Sequence, residues 1–206
     1  MSWMLTKSGR KVDLLYPKPG MICLDDIAYH LARIHRFTGA TTWSVAQHSI
    51  FAAALCEADG HHSYPVLWTL LHDAHEAYTG DISTPMKSAI GFSHIEHIEM
   101  GLDRAIRAAL GLEHLHTGLA NGTAKKYDQL ATAYERKLFM PDHPDWPKRT
   151  NLPPLTDDAD EVLGIIQTFD RRPDQVELTF KRVYETVWDR LTTPPEPEPV
   201  AAAAVA

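Results

Sequence analysis

The chain has 206 residues, about 1.4 times a typical domain length, which favours one compact domain with short additions over two domains. Its hydrophobic fraction of 44% and charged fraction of 23% are ordinary for a globular protein and exclude a wholly disordered chain. The formal net charge of −7 argues against a protein that coats nucleic acid or lies on a membrane surface.

Hydrophobic periodicity divides the chain into a hairpin and a series of helices. Residues 1–20 predict a β-hairpin, because Gly9 lies in a polar turn and apolar residues alternate after it. From Leu24 onward apolar residues recur at helical spacing, and Ser44 is a natural N-terminal cap. A turn or loop is expected over 81–85. The predicted helices begin near Asp25, run from Ser44 toward Gly60 and from Pro65 to near Gly80, and cover 93–110, about 123–139, 157–170 and 173–191.

These elements predict an all-α domain of six or seven helices over residues 1–192, with the small N-terminal hairpin as an accessory. Residues 193–206 combine Pro-Glu repeats with alanines, a composition that cannot pack a core, and are expected to be disordered. Cys23 and Cys56 lie in apolar helical surroundings and are expected to be reduced. No apolar run approaches the roughly 18 residues of a membrane span and no export signal is present, so a cytoplasmic location is expected.

One segment, residues 70–81, most of it in a predicted helix, carries a high density of ionisable side chains among apolar neighbours. Burying such groups without partners costs free energy, and a bound divalent cation is a simple way to balance their charge and occupy their lone pairs. His72 and Asp73 are adjacent and project about 100° apart on a helix, so a metal ion between them needs ligands from other elements. His48 in the preceding helix and Asp128 in a later one can supply these. Two imidazoles and two carboxylates leave coordination positions open, as in catalytic sites.

The order of these residues resembles a known signature. His48, His72-Asp73 and Asp128 resemble the H…HD…D pattern of the HD-domain metal-dependent phosphohydrolases. Longer strings within roughly 22–140 are similar to the YfbR-like branch of deoxyribonucleoside 5′-nucleotidases and to phage dATP triphosphohydrolases. These strings are Arg36-Phe37-Thr38-Gly39, Ser44-Val45-Ala46-Gln47-His48-Ser49, His72-Asp73-Ala74-His75-Glu76 and Gly80-Asp81-Ile82-Ser83-Thr84-Pro85-Met86-Lys87.

The resemblance implies a role for each matching residue. Glu76 is expected to be the catalytic carboxylate, and Asp81 the loop aspartate that contacts the nucleotide or assists proton transfer. The metal ligands implied are His48, His72, Asp73 and Asp128. The basic positions around the phosphates are matched by Arg36, Lys87 and Lys125. We expect one tightly held ion, Co²⁺, Mn²⁺ or Zn²⁺, and allow for a second ion that arrives with the substrate phosphates.

The activity implied is hydrolysis of the 5′-phosphate ester of a (deoxy)nucleotide by direct attack of water. A triphosphate would give nucleoside and tripolyphosphate, and a monophosphate would give nucleoside and orthophosphate; Lys125 beside a predicted ligand favours the longer phosphate chain. The alternative is a non-catalytic protein that senses nucleotides or binds a partner. The expected partner is a small nucleotide rather than a nucleic-acid polymer or a membrane, and the resemblance implies a homo-oligomer, a dimer or higher.

Overall fold

The computed structural model describes residues 2–113, 117–146, 153–167 and 172–193. Over these residues the fold is mainly helical with a two-stranded hairpin at its start, which confirms the predicted fold class at that level. The antiparallel strands are β1 (Trp3–Leu5) and β2 (Lys11–Asp13). Except for Thr193, the tail predicted to be disordered lies outside the described residues.

Besides two three-residue 3-10 helices, Pro19–Met21 and Phe37–Gly39, eight α-helices of seven or more residues and one single-turn α-helix follow the hairpin within the described ranges. They are α1 (Leu24–Leu31), α2 (Val45–Ala58), α3 (Ser63–Leu71), the single turn α4 (Glu76–Thr79), α5 (Thr84–Ile90), α6 (Phe92–Ala109), α7 (Thr117–Phe139), α8 (Asp157–Gln167) and α9 (Pro173–Thr192). The predicted count of six or seven helices was therefore too low. None of the helices, as far as they are described, has the length and apolar composition to cross a bilayer.

The single helix expected over 65–80 is broken in the structure. Its first part ends at Leu71, and a new turn begins at Glu76. Between them the amide of Ala74 donates to the carbonyl of Leu71, and the amide of Glu76 donates to that of Asp73, both at 2.9 Å. These bonds span three residues, as in a 3-10 turn, in which side chains three apart eclipse each other. The tighter turn therefore brings Asp73 and Glu76 onto one side.

Two other boundaries differ from the prediction. The loop expected over 81–85 is shorter, because α5 already begins at Thr84 with Pro85 in its first turn, where the missing N–H of proline is not needed. α7 begins at Thr117 rather than near Thr123. Gly118 and Gly122 have low helix propensity, so the sequence does not indicate that its first turns are helical.

Helix α2 lies at the centre of the bundle, in contact with α3, α7, α8 and α9. It is buried on nearly all sides, as expected for a helix that is apolar all round. A capping box holds its first turn: the Ser44 hydroxyl accepts from the Gln47 amide at 3.2 Å, and the Gln47 side chain accepts from the Ser44 amide at 2.9 Å. The predicted cap at Ser44 is thus confirmed, and it fixes His48, which is fully buried, at the start of α2.

The hairpin is tied to the helices through Asp26 on α1, which is only 1% exposed. Its carboxylate accepts from the Ser8 amide at 2.9 Å, the Ser8 hydroxyl at 2.6 Å and the Cys23 thiol at 3.2 Å. Burial alone would raise the pKa of Asp26, but these hydrogen bonds outweigh it and hold the pKa below its ordinary value. The ionised carboxylate is therefore the form that fixes the hairpin.

Asp26→Asn is expected to lower the free energy of unfolding by about 2 kcal/mol at pH 7, because the amide turns an NH₂ group toward donors. Since the folded pKa is depressed, this contribution is complete above the ordinary pKa of about 4 and is lost as pH falls through the folded value. Urea unfolding at pH 7 and pH 3 measures the difference. Asp25→Asn is the control, because the Asp25 side chain is 78% exposed and should contribute less than about 1 kcal/mol. Equal losses in both variants would contradict the anchoring role.

Candidate metal centre

Three elements bring the four predicted ligands together. His48 comes from the first turn of α2, His72 and Asp73 from the tight turn after α3, and Asp128 from α7. The Nε2 atom of His48 lies 3.3 Å from Nε2 of His72, 3.7 Å from Oδ2 of Asp73 and 3.2 Å from Oδ1 of Asp128. The Nε2 atom of His72 lies 3.1 Å and 3.8 Å from the same two carboxylate oxygens. Both histidines therefore lie beside both carboxylates, and His48, His72 and Asp128 form a group that could hold one metal ion.

These separations suit a single divalent cation. Ligand atoms about 2.1 Å from a common ion lie about 3.0 Å apart at right angles and about 3.4 Å apart at tetrahedral angles. The observed separations run from 3.1 to 3.8 Å, a range that includes the tetrahedral value of about 3.4 Å and begins close to the right-angle value of about 3.0 Å. Two imidazole nitrogens and two carboxylate oxygens are donors that Zn²⁺, Mn²⁺ and Co²⁺ accept. The cluster could therefore hold such an ion.

Hydrogen bonds on the outer side of each imidazole determine which nitrogen faces the centre. The Nδ1 atom of His72 lies 2.7 Å from the carbonyl oxygen of Thr69, which can only accept. The Nδ1 atom of His48 lies 2.6 Å from Oε1 of Glu135, which also accepts from Trp43 Nε1 at 3.0 Å. Both Nδ1 atoms therefore carry a hydrogen, and both Nε2 atoms, which face the shared centre, are the ones that could bind a cation in place of a proton.

The charges within the cluster compensate one another. Burial would raise the pKa of Asp73 and of Asp128, but the two histidines outweigh it and hold both pKa values well below their ordinary range. Burial would lower the pKa of His72, yet Asp73 and Asp128 raise it well above its ordinary value. The carboxylates thus require a positive partner, which is the role that a bound cation takes over from protons.

Arg36 lies beside the same cluster and is held from several sides. Its backbone amide donates to the carbonyl of Trp43 at 2.9 Å, which closes the loop before α2. Its Nε donates to Oε2 of Glu135 and its Nη2 to the hydroxyl of Thr132, both at 2.9 Å, and its Nη1 lies 3.7 Å from Oδ2 of Asp73. Burial would lower the pKa of Arg36, but these carboxylates, Glu135 first, raise it. The guanidinium is thus a fixed positive charge next to the predicted ligands.

Glu76 is 6% exposed, and its Oε2 atom is buried without a hydrogen-bond partner in the part of the chain that the structure describes. One ligand-type atom from each of Asp73, His75 and Glu76 lies within 4.8 Å of the other two, so this carboxyl group neighbours a predicted ligand. Burial, followed by the negative charges of Asp73 and Asp81, raises the pKa of Glu76 well above its ordinary value. Such a group is suited to exchange a proton with water.

The remaining predicted residues have different surroundings. Asp81 is half-buried in the loop after α4 and within electrostatic range of Glu76, and burial raises its pKa. Lys87 on α5 forms an ion pair with Glu99 on α6, with 2.7 Å between Nζ and Oε1. Lys125 is exposed on α7, three residues before the predicted ligand. The structure thus places Asp81 near the cluster, pairs Lys87 with an acidic neighbour and leaves Lys125 on the surface.

Sequence reasoning missed the groups that support the ligands. Glu135 and Thr132 follow Asp128 by seven and four residues, so all three share a face of α7, and this spacing is visible once the helix is predicted. The Thr132 hydroxyl donates to Oδ1 of Asp128 at 3.3 Å. Thr69 contributes a backbone carbonyl, which no pattern of residue types reveals. Of these supporting groups, only Thr132 and Glu135 on α7 could therefore have been predicted from the sequence.

Comparisons with known proteins give relatives but no activity. No family model matches the chain. An uncharacterized protein of Rhodobacter capsulatus is 40% identical over 125 residues, 57% of this chain and 59% of that protein, so the chain spans about three fifths of this relative's length. The uncharacterized protein YfdR of Escherichia coli K12 is 31% identical over 170 residues, 81% of this chain and 86% of that protein. Neither name states a reaction or a ligand.

Proposed function

The chain belongs to the same protein family as Escherichia coli YfdR, and from the geometry of its site we propose that it is a divalent-metal-dependent phosphohydrolase of the HD-domain type. Its proposed substrate is the 5′-phosphate ester of a (deoxy)nucleotide. One observation carries the proposal: two imidazole nitrogens and two carboxylate oxygens converge beside the buried carboxyl group of Glu76, whose Oε2 atom has no hydrogen-bond partner among the described residues. This combination of a metal-binding cluster and a proton acceptor is what hydrolysis by water requires.

The four converging side chains would hold the cation, and their donor set supports Co²⁺, Mn²⁺ or Zn²⁺. A divalent cation bound there would polarise a phosphoryl oxygen and acidify water at the site. The neighbouring group of Asp73, His75 and Glu76 could also hold a metal ion, which supports a second ion that arrives with the substrate phosphates.

Glu76 is proposed to accept the proton of the attacking water. The water oxygen forms a bond to phosphorus while the bond from phosphorus to the 5′ oxygen breaks. The electron pair of the broken bond stays on the nucleoside 5′ oxygen, which takes up a proton from solvent, and Glu76 returns the proton of the attacking water to solvent. The unpaired Oε2 atom of Glu76 and its raised pKa support this role. Asp81, whose pKa burial also raises, is proposed to assist this proton transfer or to contact the nucleotide.

Arg36 is proposed to orient the phosphate. Its Nε and Nη2 atoms are held by Glu135 and Thr132, so the guanidinium keeps one orientation beside the cluster. Lys87 and Lys125 support a long phosphate chain less well, because Lys87 is paired with an acidic residue and Lys125 is exposed. The arrangement therefore favours a nucleoside monophosphate, held through one phosphate group, over a triphosphate.

The proposal includes self-association of the chain. Four large apolar side chains are exposed along α5 and the first half of α6, namely Met86, Ile90, Phe92 and Met100. Exposed apolar side chains in one stretch of the chain would be covered if two copies met there, which supports self-association. A small nucleotide rather than a nucleic-acid polymer remains the proposed substrate, in keeping with a net charge of −7.

A product assay tests the function. Protein stripped of metal is reloaded separately with Co²⁺, Mn²⁺ or Zn²⁺, and each form is offered the four dNMPs and the four dNTPs. Phosphate products are separated by anion exchange. We expect orthophosphate from at least one dNMP with at least one metal and none from the stripped protein.

The other outcomes are equally decisive. Tripolyphosphate from a dNTP would keep the phosphohydrolase proposal but assign the longer substrate. No product from any nucleotide, with metal binding demonstrated, would contradict the proposal and favour a protein that senses nucleotides without turnover.

A further inference from the structure

Glu135 lies where the metal centre and the proposed phosphate-binding group meet. It is 0% exposed, on α7 two turns after Asp128. Its Oε1 atom accepts hydrogen bonds from His48 Nδ1 at 2.6 Å and from Trp43 Nε1 at 3.0 Å. Its Oε2 atom accepts a hydrogen bond from Arg36 Nε at 2.9 Å. A single carboxylate thus contacts a predicted ligand through one oxygen and the predicted phosphate-binding residue through the other.

The chemistry of its neighbours defines what Glu135 must do. An indole N–H and a guanidinium N–H can only donate, so both oxygens of Glu135 are acceptors. His48 Nδ1 must then donate as well, which leaves its Nε2 atom free toward the shared centre. The second oxygen, Oε2, also fixes the orientation of the Arg36 guanidinium group, because it accepts a hydrogen bond from Arg36 Nε.

We propose that Glu135 is a positioning residue with two separable duties: Oε1 orients His48 for the cation, and Oε2 orients Arg36 for the phosphate. The part of this inference that concerns Arg36 and phosphate rests on the proposed function. The part that concerns His48 and the cation rests on the geometry alone. Glu135 itself does not touch the substrate.

Two substitutions separate the duties. Glu135→Gln keeps one acceptor oxygen. Because Oε1 accepts from two donors, His48 and Trp43, whereas Oε2 accepts from Arg36, the amide oxygen is expected to replace Oε1 and the amide NH₂ to face Arg36. We therefore expect Co²⁺ affinity to fall by less than about 10-fold and the affinity of the Co²⁺-loaded protein for inorganic phosphate to fall by about 10-fold or more. Glu135→Ala removes both acceptors and should lower Co²⁺ affinity by about 10- to 100-fold.

Calorimetric titration measures both affinities, first with Co²⁺ on the stripped protein and then with inorganic phosphate on the loaded protein. Matched controls are Glu185→Gln and Glu185→Ala, at an exposed glutamate on α9, which should leave both affinities within about 2-fold. A purely structural role would lower the melting temperature without splitting the two affinities.

Each result decides the matter. A folded Glu135→Ala protein that binds Co²⁺ like the wild type would overturn the inference. If that variant does not fold, a Glu135→Gln protein with unchanged phosphate affinity overturns it instead. A wild type that binds Co²⁺ and phosphate with the expected variant effects, yet hydrolyses no nucleotide, would refute the proposed function and leave the positioning role standing. A wild type that binds no metal would overturn both.

Discussion

Asp73→Asn is expected to lower both Co²⁺ affinity and nucleotide hydrolysis by at least about 1,000-fold, equivalent to about 4 kcal/mol. The substitution removes one anionic ligand without changing the shape of the side chain. His72 Nε2 and His48 Nε2 then lose a carboxylate oxygen at 3.1 Å and 3.7 Å, respectively. Metal content after dialysis, measured by mass spectrometry, and initial rates on the best substrate of the product assay provide the two readouts.

The matched control for this prediction is Asp59→Asn, which makes the same chemical change at the other end of α2. Asp59 is exposed and pairs with Lys126 at 2.8 Å, outside the predicted ligand set. It should retain metal and rate within about 2-fold. An Asp73→Asn protein that keeps its metal and its rate would exclude Asp73 as a ligand.

Glu76→Gln should leave metal content unchanged and lower kcat by about 100- to 10,000-fold. The four predicted ligands are untouched, but the glutamine amide cannot accept a proton from water as the proposed mechanism requires. Because Oε2 of Glu76 has no hydrogen-bond partner among the described residues, the substitution breaks no bond to that atom. Single-turnover rates on the loaded protein, together with its metal content, separate the two effects.

Glu96→Gln serves as the control here, since Glu96 is an exposed glutamate on α6. It should reproduce the wild-type rate. If Glu76→Gln turned over at the wild-type rate, another group would have to accept the proton. If it lost the ion held by the four predicted ligands, Glu76 would be a ligand of that ion rather than a base.

Much of the scaffold was predictable because it follows from local rules. The alternating residues around Gly9 predicted the hairpin, and Ser44 predicted the start of α2, where the capping box is found. The break after Leu71 was not predictable from periodicity, because a turn of 3-10 bonds keeps the same apolar residues buried. That local tightening, rather than a regular helix, sets the relative directions of Asp73 and Glu76.

The candidate site was predictable in its ligands and less so in its surroundings. The spacing of His48, His72-Asp73 and Asp128 identified side chains that the structure does bring together. The exposure of Lys125 and the pairing of Lys87 depend on how α5 and α7 are placed in three dimensions, which residue spacing does not encode. The same applies to Glu135, whose neighbours lie about 90 residues away in the chain.

The C-terminal helix α9 packs against α1, α2 and α3, yet every predicted ligand precedes it in the chain. During synthesis Asp128 therefore leaves the ribosome well before Thr192, the last residue of α9. The 64 residues after Asp128, up to and including Thr192, take roughly 3 to 13 s to translate at about 5–20 residues per second. Throughout that interval the nascent chain carries all four predicted ligands on helices whose apolar contact with α9 has not yet formed, so protection by chaperones would matter most then.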